Sequence, residues 1–325
     1  MNDLIGAYFG LELPPRRAGR GAFPYTESPC CAWVSSGRAA FESLLRSMPL
    51  PERVLVPRFT CDTVLAPLVR LGLPVLRYEL TEEWLPQLPQ ELGAGDMLLI
   101  TNYFGFTPAE SIARAAAAHP GPCVVDATTA LFAPPVPGIP TFYSLRKFAG
   151  VPDGGVAVAP FRIQLPEEQD LSSARARYLL ERIELGAAAA LPASEAAEQD
   201  ISANPPRRMS PLTRAMVQAI DWEHIAAARR RNYAALHARL AALNRCALPA
   251  EPPSAPFCYP FVCAIPRMRD ALIDSGIALP IFWPEVIRDT PAESPANELA
   301  RRLLPLPLDQ RYTPDELLRV LESCL

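Results

Sequence analysis

Lys147 is the only lysine in a 325-residue chain whose Lys+Arg total is 31, so every other basic side chain is an arginine. Arginine replaces lysine at little cost where a surface needs only charge, because isolated exposed ion pairs contribute little. It cannot shed its proton and become an amine nucleophile. A desolvated lysine can, and Schiff-base chemistry uses it for that reason. Lys147, within YSLRKFAGVPDGG (143–155), is therefore the first candidate for chemistry. The competing reading is compositional: in a chain rich in Ala, Arg and Pro, it is the last lysine that drift has left. Two further features lie upstream. Ser35-Ser36-Gly37 precedes a helical pattern beginning near Arg38, and a glycine-containing turn at a helix N-terminus presents free N–H groups to a phosphate. Such turns also open many surface helices. Asp126 ends the apolar run CVVD, where a carboxylate either points into a cleft or caps a turn.

These residues need a scaffold, and the pattern from Ser35 to about Pro160 supplies one. Phe41, Leu44, Leu45 and Met48 follow helical spacing; VLVP (54–57) reads as a strand, and Val64, Leu65, Leu68 and Val69 as the next helix. PVLRYEL, DMLLITN, CVVD, FYSL and GGVAVAP read as strands, with SIARAAAAH as a helix among them. Strands alternating with helices predict an α/β fold with a mostly parallel sheet, whose ligands sit at the carboxyl ends of the strands. Asp126 and Lys147 both fall at such ends. Three regions follow: a large domain over 1–160, a helical connection over 161–235 with ASEAAEQDISANPPRRMS as a mobile loop, and a small α/β domain over 236–325. The last is expected to hold strands FCYPFVCAI and ALPIFWP and helices MRDALIDSG and NELARRLL. It closes with a helix whose Thr313-Pro314-Asp315-Glu316 start is a capping box.

Composition narrows the function. Half the residues are apolar, a fifth are charged and the net charge is -4, as for an ordinary soluble enzyme; this argues against a nucleic-acid partner. Arg229-Arg230-Arg231 sits in a helical pattern and reads as a solvated face. The opening MNDLIGAYFG lacks a basic n-region and no apolar run has the length of a membrane span, so a cytoplasmic protein without a membrane partner is expected. The eight cysteines form no CxxC pair and only three histidines accompany them, which predicts buried thiols and no metal.

A phosphate cradle, a carboxylate for a pyridinium nitrogen and an amine for an aldehyde are the fittings of pyridoxal 5'-phosphate (PLP). Their order along the chain is similar to that in the DegT-type aminotransferases of PLP fold type I, which aminate keto sugars linked to nucleotides. The resemblance spans nearly the whole sequence. Ser36-Gly37-Arg38-Ala39-Ala40 resembles the family's phosphate turn, and Pro57-Arg58-Phe59-Thr60 its P-x-x-T segment. Asp126-Ala127-Thr128-Thr129 resembles the segment carrying the pyridinium aspartate, and Lys147 with Gly154-Gly155 the lysine and the strand after it. Arg208-Met209-Ser210, ARRRNYAALHARL and LARRLLPLPL also look like the family. Four positions depart from it. Thr129 stands in place of a glutamine that contacts the phenolic oxygen, Cys61 in place of a stacking aromatic ring, Phe142 in place of a phosphate-binding serine, and Pro206 in place of an asparagine donated by the partner subunit.

The resemblance implies PLP as cofactor, with Lys147 and Asp126 catalytic. Ser36, Gly37, Arg38, Cys61, Asn102, Thr129 and Ser144 are the cofactor-binding candidates, Ser144 compensating for Phe142. Asn102 either compensates for Thr129 or begins the NYFG turn. An amino-acid donor and a keto acceptor are implied as small-molecule partners. So is a homodimer, with Asn204 to Ser210 near the neighbour's cofactor. Two other readings compete. One is a degenerate PLP-fold protein that binds without catalysis. The other takes Tyr143 and Lys147 as the Y-x-x-x-K pair of short-chain dehydrogenases, for which no glycine-rich dinucleotide turn precedes Tyr143.

Overall fold

The computed structural model describes residues 11–15, 19, 21–322 and 324; the opening MNDLIGAYFG lies outside them. One sheet comprises β1 (Cys31–Val34), β2 (Arg53–Pro57), β3 (Val75–Leu80), β4 (Pro86–Gln87), β5 (Asp96–Thr101), β6 (Cys123–Asp126), β7 (Thr141–Ser144) and β8 (Gly155–Val158). Their order is β1-β8-β7-β6-β5-β2-β3-β4. The run β3, β2, β5, β6, β7 is parallel, whereas β8 lies antiparallel to both of its neighbours. The mostly parallel sheet expected from the alternating pattern is therefore present.

Successive residues of the central strands feed different cores, as the period of two requires. Leu55, Leu98, Ile100, Val125, Tyr143 and Val156 belong to one cluster. Val54, Val56, Leu99, Val124, Phe142 and Ala157 join another with Phe41, Leu44 and Leu45 of helix α1 (Gly37–Arg46). A sheet buried on both faces explains why its strands read as continuous apolar runs. Each fully buried side chain of this size contributes about 1.5–3 kcal/mol, so the sheet is a rigid platform for what its edge carries. The sheet's other helices are α2 (Ala66–Arg70) and α3 (Ala109–Ala117).

Beyond β8 come α4 (Arg177–Leu185), α5 (Ala187–Ala203), α6 (Pro211–Ala219) and α7 (Trp222–Leu240). A smaller C-terminal α/β unit follows, with β9 (Cys258–Phe261), α8 (Met268–Asp274), α9 (Pro284–Asp289), α10 (Pro295–Arg302), β10 (Leu304–Pro307) and α11 (Pro314–Glu322). Its apolar cluster, including Tyr233, Leu236, Phe261, Leu306 and Leu317, also takes in Phe59, Tyr103 and Phe104, which follow β2 and β5 of the large sheet. The Thr313–Glu316 capping box forms as expected, Thr313 N donating to Glu316 Oε2 at 2.8 Å.

Two expectations are corrected. ALPIFWP is not a strand; the partner of β9 is β10, with Leu306 opposite Tyr259. Pro280 and Pro284 deprive that segment of ladder donors. The stretch expected to be irregular up to Ser210 is helical as far as Ala203. Only Ala190, Ala197 and Ile201 of α5 are buried, so apolar periodicity carries little signal there. Its polar face is held by arginines distant in sequence: Arg38 on Glu198 and Ser202, Arg146 on Glu198, and Arg175 on Asp200.

Candidate functional site

Because β6 and β7 are parallel neighbours, their carboxyl ends share one edge of the sheet, and Asp126 and Ser144 lie on it. Lys147 follows three residues later. Helix α1 begins at the same edge, since β1 is also flanked by β8. Ser36 is its N-cap, in extended conformation, with its Oγ accepting from Ala39 N at 3.1 Å. The N–H groups of Gly37 and Arg38 precede any intrahelical acceptor.

Glycines hold this turn against the sheet. A Cβ on Gly155 would lie 2.1 Å from Ser36 O and 2.8 Å from Gly37 N, both backbone atoms. One on Gly37 would come within 3.0 Å of Thr128 Cγ2. Gly154, at φ +128°, donates its N–H to Ser35 O at 2.7 Å. The Gly-Gly pair thus seats the helix N-terminus as well as starting a strand, a role the sequence pattern did not show.

A cavity of about 250 Å³ opens at this edge. Ser36, Gly37 and Arg38, Asp126, Thr129 and Ser144, and Lys147 and Cys61 are all among the residues that line it. The Lys147 side chain is exposed, and its Nζ donates to Thr128 Oγ1 at 3.1 Å. Asp126 is buried and accepts from Thr128 N at 2.8 Å. Burial pushes its carboxyl up, while the positive charge of Lys147 and then the Thr128 hydrogen bonds pull it down. Thr128 therefore joins the two candidates. Adjacency to Asp126 in sequence was its only signal.

Other candidates are placed as follows. Thr129 Oγ1 accepts from Phe104 N at 3.2 Å and donates to Asn102 O at 3.3 Å, so its hydroxyl is committed to the 102–104 backbone. Asn102 is not among the residues lining this cavity. Its Oδ1 accepts from Thr107 N at 3.3 Å and its Nδ2 donates to Thr107 O at 3.4 Å, closing the NYFGFT turn. Phe142 lines the cavity and stacks on Phe41 of α1 with ring centroids 4.9 Å apart. Pro206 lies beside Ser35, Ser36 and Arg38 of its own chain, and Arg207 O accepts from Ser35 N at 2.9 Å. The 204–210 segment thus borders this chain's own Ser35–Arg38 turn. Ser210 N-caps α6 and donates from both N and Oγ to buried Asp153, each at 2.9 Å.

Three side chains at the cavity were missed. Trp283 reaches it from the C-terminal unit with a left-handed backbone, φ +60°, and packs edge-on against Phe59 at 4.6 Å. It went unnoticed because ALPIFWP read as a strand. Arg146 and Glu198 also line the wall, and Arg38 and Arg146 converge on the Glu198 carboxylate at 2.9 and 2.5 Å. Burial acts to raise that carboxyl, but Arg146 and Arg38 hold it below the usual glutamate range. Lys147 and Arg146 also border a second cavity, of about 540 Å³, on the side of the C-terminal unit.

Tyr143 does not accompany Lys147. Its side chain is fully buried, the ring centroid 4.5 Å from that of Tyr25 and the hydroxyl donating to Ala133 O at 3.1 Å. The Y-x-x-x-K pair is therefore split between core and cavity, which removes the dehydrogenase reading. Among the described residues no group of three His, Cys, Asp or Glu side chains is arranged to hold a metal, and no helix is long and apolar enough to cross a membrane.

No protein-family model matches the chain, and no curated protein matches it in sequence. Solved structures do resemble it. The sugar aminotransferase CalS13 from Micromonospora echinospora is 16% identical, with 91% of this chain and 86% of that one covered at a TM-score of 0.61. A DegT DnrJ EryC1 StrS aminotransferase from Brucella abortus is also 16% identical, over 93% and 86%, at 0.61. The E. coli GDP-4-keto-6-deoxy-D-mannose-3-dehydratase with bound hydrated PLP is 15% identical, over 93% and 88%, at 0.61. The chain thus has the architecture of PLP fold type I, with its large mostly parallel sheet and smaller C-terminal α/β unit.

Proposed function

We propose that this protein is a PLP-dependent aminotransferase that moves an amino group from an amino-acid donor to a keto acceptor. The observation that carries the reading is that Lys147 Nζ, buried Asp126 and the open N-terminus of α1 border one cavity. The residues fit the cofactor: Gly37 and Gly155 have no side chain where one would displace the turn, which leaves backbone N–H donors for a phosphate. When bound, PLP supplies an aldehyde and a ring that accepts electrons from the substrate's α-carbon.

The chain's own groups divide the remaining work. The N–H groups of Gly37 and Arg38 would hold the phosphate, with Ser36 and Ser144 beside them. Asp126, in the same cavity, would be the carboxylate for the ring nitrogen, holding a proton there. Lys147 Nζ would be the amine that holds the aldehyde, and as a free amine it would take the substrate's α-proton and return it, as general base and then acid. Thr128 orients both groups, through its hydroxyl on Lys147 and its N–H on Asp126. Thr129 and Cys61 complete the walls.

Solved structures of the same fold include a sugar aminotransferase and a dehydratase of a GDP-linked keto sugar. We extend the reading to a keto sugar as acceptor, in polysaccharide or natural-product biosynthesis, and to a cytoplasmic homodimer. The test is spectroscopic. Purified protein mixed with PLP should turn yellow, and borohydride should fix the cofactor on the peptide containing Lys147. Lys147→Arg keeps the charge without a neutral amine, and should bind PLP only dialysably and support no half-transamination with glutamate. A wild-type protein that stays colourless in excess PLP removes the enzyme reading and leaves the non-catalytic scaffold.

A further inference from the structure

The second cavity, about 540 Å³ and bordered by Lys147, has an unusual charge for a protein whose net charge is -4. Its charged lining consists of Arg146, Lys147, Arg182, Arg229 and Arg311 against one carboxylate, Asp309. Two of the cations are already paired: Arg146 with Glu198, and Arg311 with Asp309 through bonds of 2.6 and 2.8 Å. Arg229 is different. It is 2% exposed, and among the described residues it forms no ion pair with an acidic side chain. Its Nη1 donates to Pro256 O at 3.2 Å and Phe257 O at 2.8 Å, its Nε has no partner, and its guanidinium lies 4.7 Å from the centre of the Phe148 ring. Burial lowers its pKa to about 10, partly offset by Asp309, so it stays charged at neutral pH.

A buried cation without a counter-ion is costly unless something else supplies the negative charge. Carbonyl dipoles and a ring face give part of the compensation; an anion gives more, and a guanidinium fork matches carboxylate and phosphate oxygens alike. Gln310, which lines the same cavity, donates from Nε2 to Phe148 O at 3.0 Å and leaves Oε1 buried without a partner. An unsatisfied acceptor in the same cavity as a fork of donors is suited to an anionic ligand that also carries a hydroxyl or N–H.

We propose that this cavity is the substrate site and that Arg229 anchors an anionic oxygen group of the substrate, either a donor carboxylate or the phosphate of an acceptor. As a substrate assignment it rests on the aminotransferase reading, but anion binding itself needs no cofactor. Calorimetric titration of the apo protein with glutarate, and separately with inorganic pyrophosphate, therefore tests it apart from any result with PLP. At least one anion should bind in one-to-one stoichiometry. Saturation by glutarate alone points to the donor's carboxylate, and by pyrophosphate alone to a nucleotide-linked acceptor. Arg229→Gln should weaken that binding at least tenfold, and Arg162→Gln, at an exposed position outside the cavity, should leave it within twofold. Should Arg229→Gln fail to fold, Arg229→Lys retains the charge without the fork and should still lose about fivefold or more. The proposal is overturned if neither anion binds the wild type, or if a folded Arg229 variant binds as the wild type does. A protein that binds PLP yet neither anion would retain the aminotransferase reading and lose this one.

Discussion

Substituting Gly155 by alanine tests whether the helix N-terminus and the sheet form one built cradle. The new Cβ would stand 2.1 Å from Ser36 O, 2.3 Å from Ser36 C and 2.8 Å from Gly37 N. All three are backbone atoms, so no rotamer change relieves the clash. Non-bonded heavy atoms settle at about 3.5–4.0 Å, so the Ser36–Gly37 turn must retreat by roughly 1 Å or more. Overpacking of that kind typically costs about 1–3 kcal/mol of stability. The larger effect should fall on the cofactor, because displacing a positioning element by ~1 Å can cost about 100-fold in function. The assay is a PLP titration followed by absorbance, with the thermal midpoint measured in parallel. Gly138→Ala is the control, since Gly138 also has a special backbone, φ +80°, but has nothing within 4 Å of the added methyl. It should lose stability and keep PLP affinity. A Gly155→Ala protein that binds PLP as tightly as the wild type refutes the role given to Gly155 and the cradle geometry with it.

Asp153 offers a pH test: burial pushes its carboxyl up to about 6 despite the donors of Ser210. A raised carboxyl pKa means that the folded state holds the proton more tightly than the unfolded one, whose value is near 3.9. Its contribution is therefore fully present below about pH 4 and is lost as pH rises toward 6, by up to ~1.4 kcal/mol per pH unit. Asp153→Asn should remove that slope from denaturation curves between pH 4 and 6, and an unchanged slope would show that Asp153 does not titrate there. Asn102→Ala should cost about 1–2 kcal/mol by leaving Thr107 N unpaired; because its amide closes a turn, the PLP absorbance should not move, and a spectral shift would return Asn102 to the cofactor. Glu198→Gln should raise the affinity of apo protein for inorganic phosphate several-fold, since it removes the carboxylate shared by Arg38 and Arg146; equal or weaker phosphate binding would show that these arginines do not face the anion.

Much of the sheet was legible because the middle of a strand buried on both faces has to be apolar, and VLV, MLLI and CVV, the interiors of VLVP, DMLLITN and CVVD, are. The edge of the sheet that carries Asp126 and Lys147 was legible for the same reason: once the strands are placed, their ends follow. What escaped was set by partners far away in sequence. Helix α5 has almost no buried face, and Glu198, Asp200 and Ser202 are held by Arg38, Arg146 and Arg175. Trp283 reaches the cavity through a left-handed backbone, a conformation rare for a bulky residue and therefore not suggested by ALPIFWP. For Asn102 the sequence left two readings open, the cofactor and the turn; its amide bonds Thr107 within the turn, and Thr129, which does line the cavity, bonds the same turn with its hydroxyl. Local hydrogen bonding by short polar side chains competes with any distant role, and the sequence does not show which prevails.

The antiparallel placement of β8 also constrains how the site is made. The Ser36–Gly37 turn is encoded near the start of the chain, yet it is seated by Gly155, and Val34 pairs with Gly155 in the register that fixes both. During synthesis the helix N-terminus emerges long before the strand that holds it. Contacts between segments so distant in sequence incur their loop-closure entropy before they are rewarded, and such contacts slow folding. The cradle thus forms only when β8 has inserted between β1 and β7 and closed the sheet. In refolding from denaturant, recovery of affinity for the proposed cofactor should trail recovery of helical circular dichroism, so that PLP binding would report completion of the sheet.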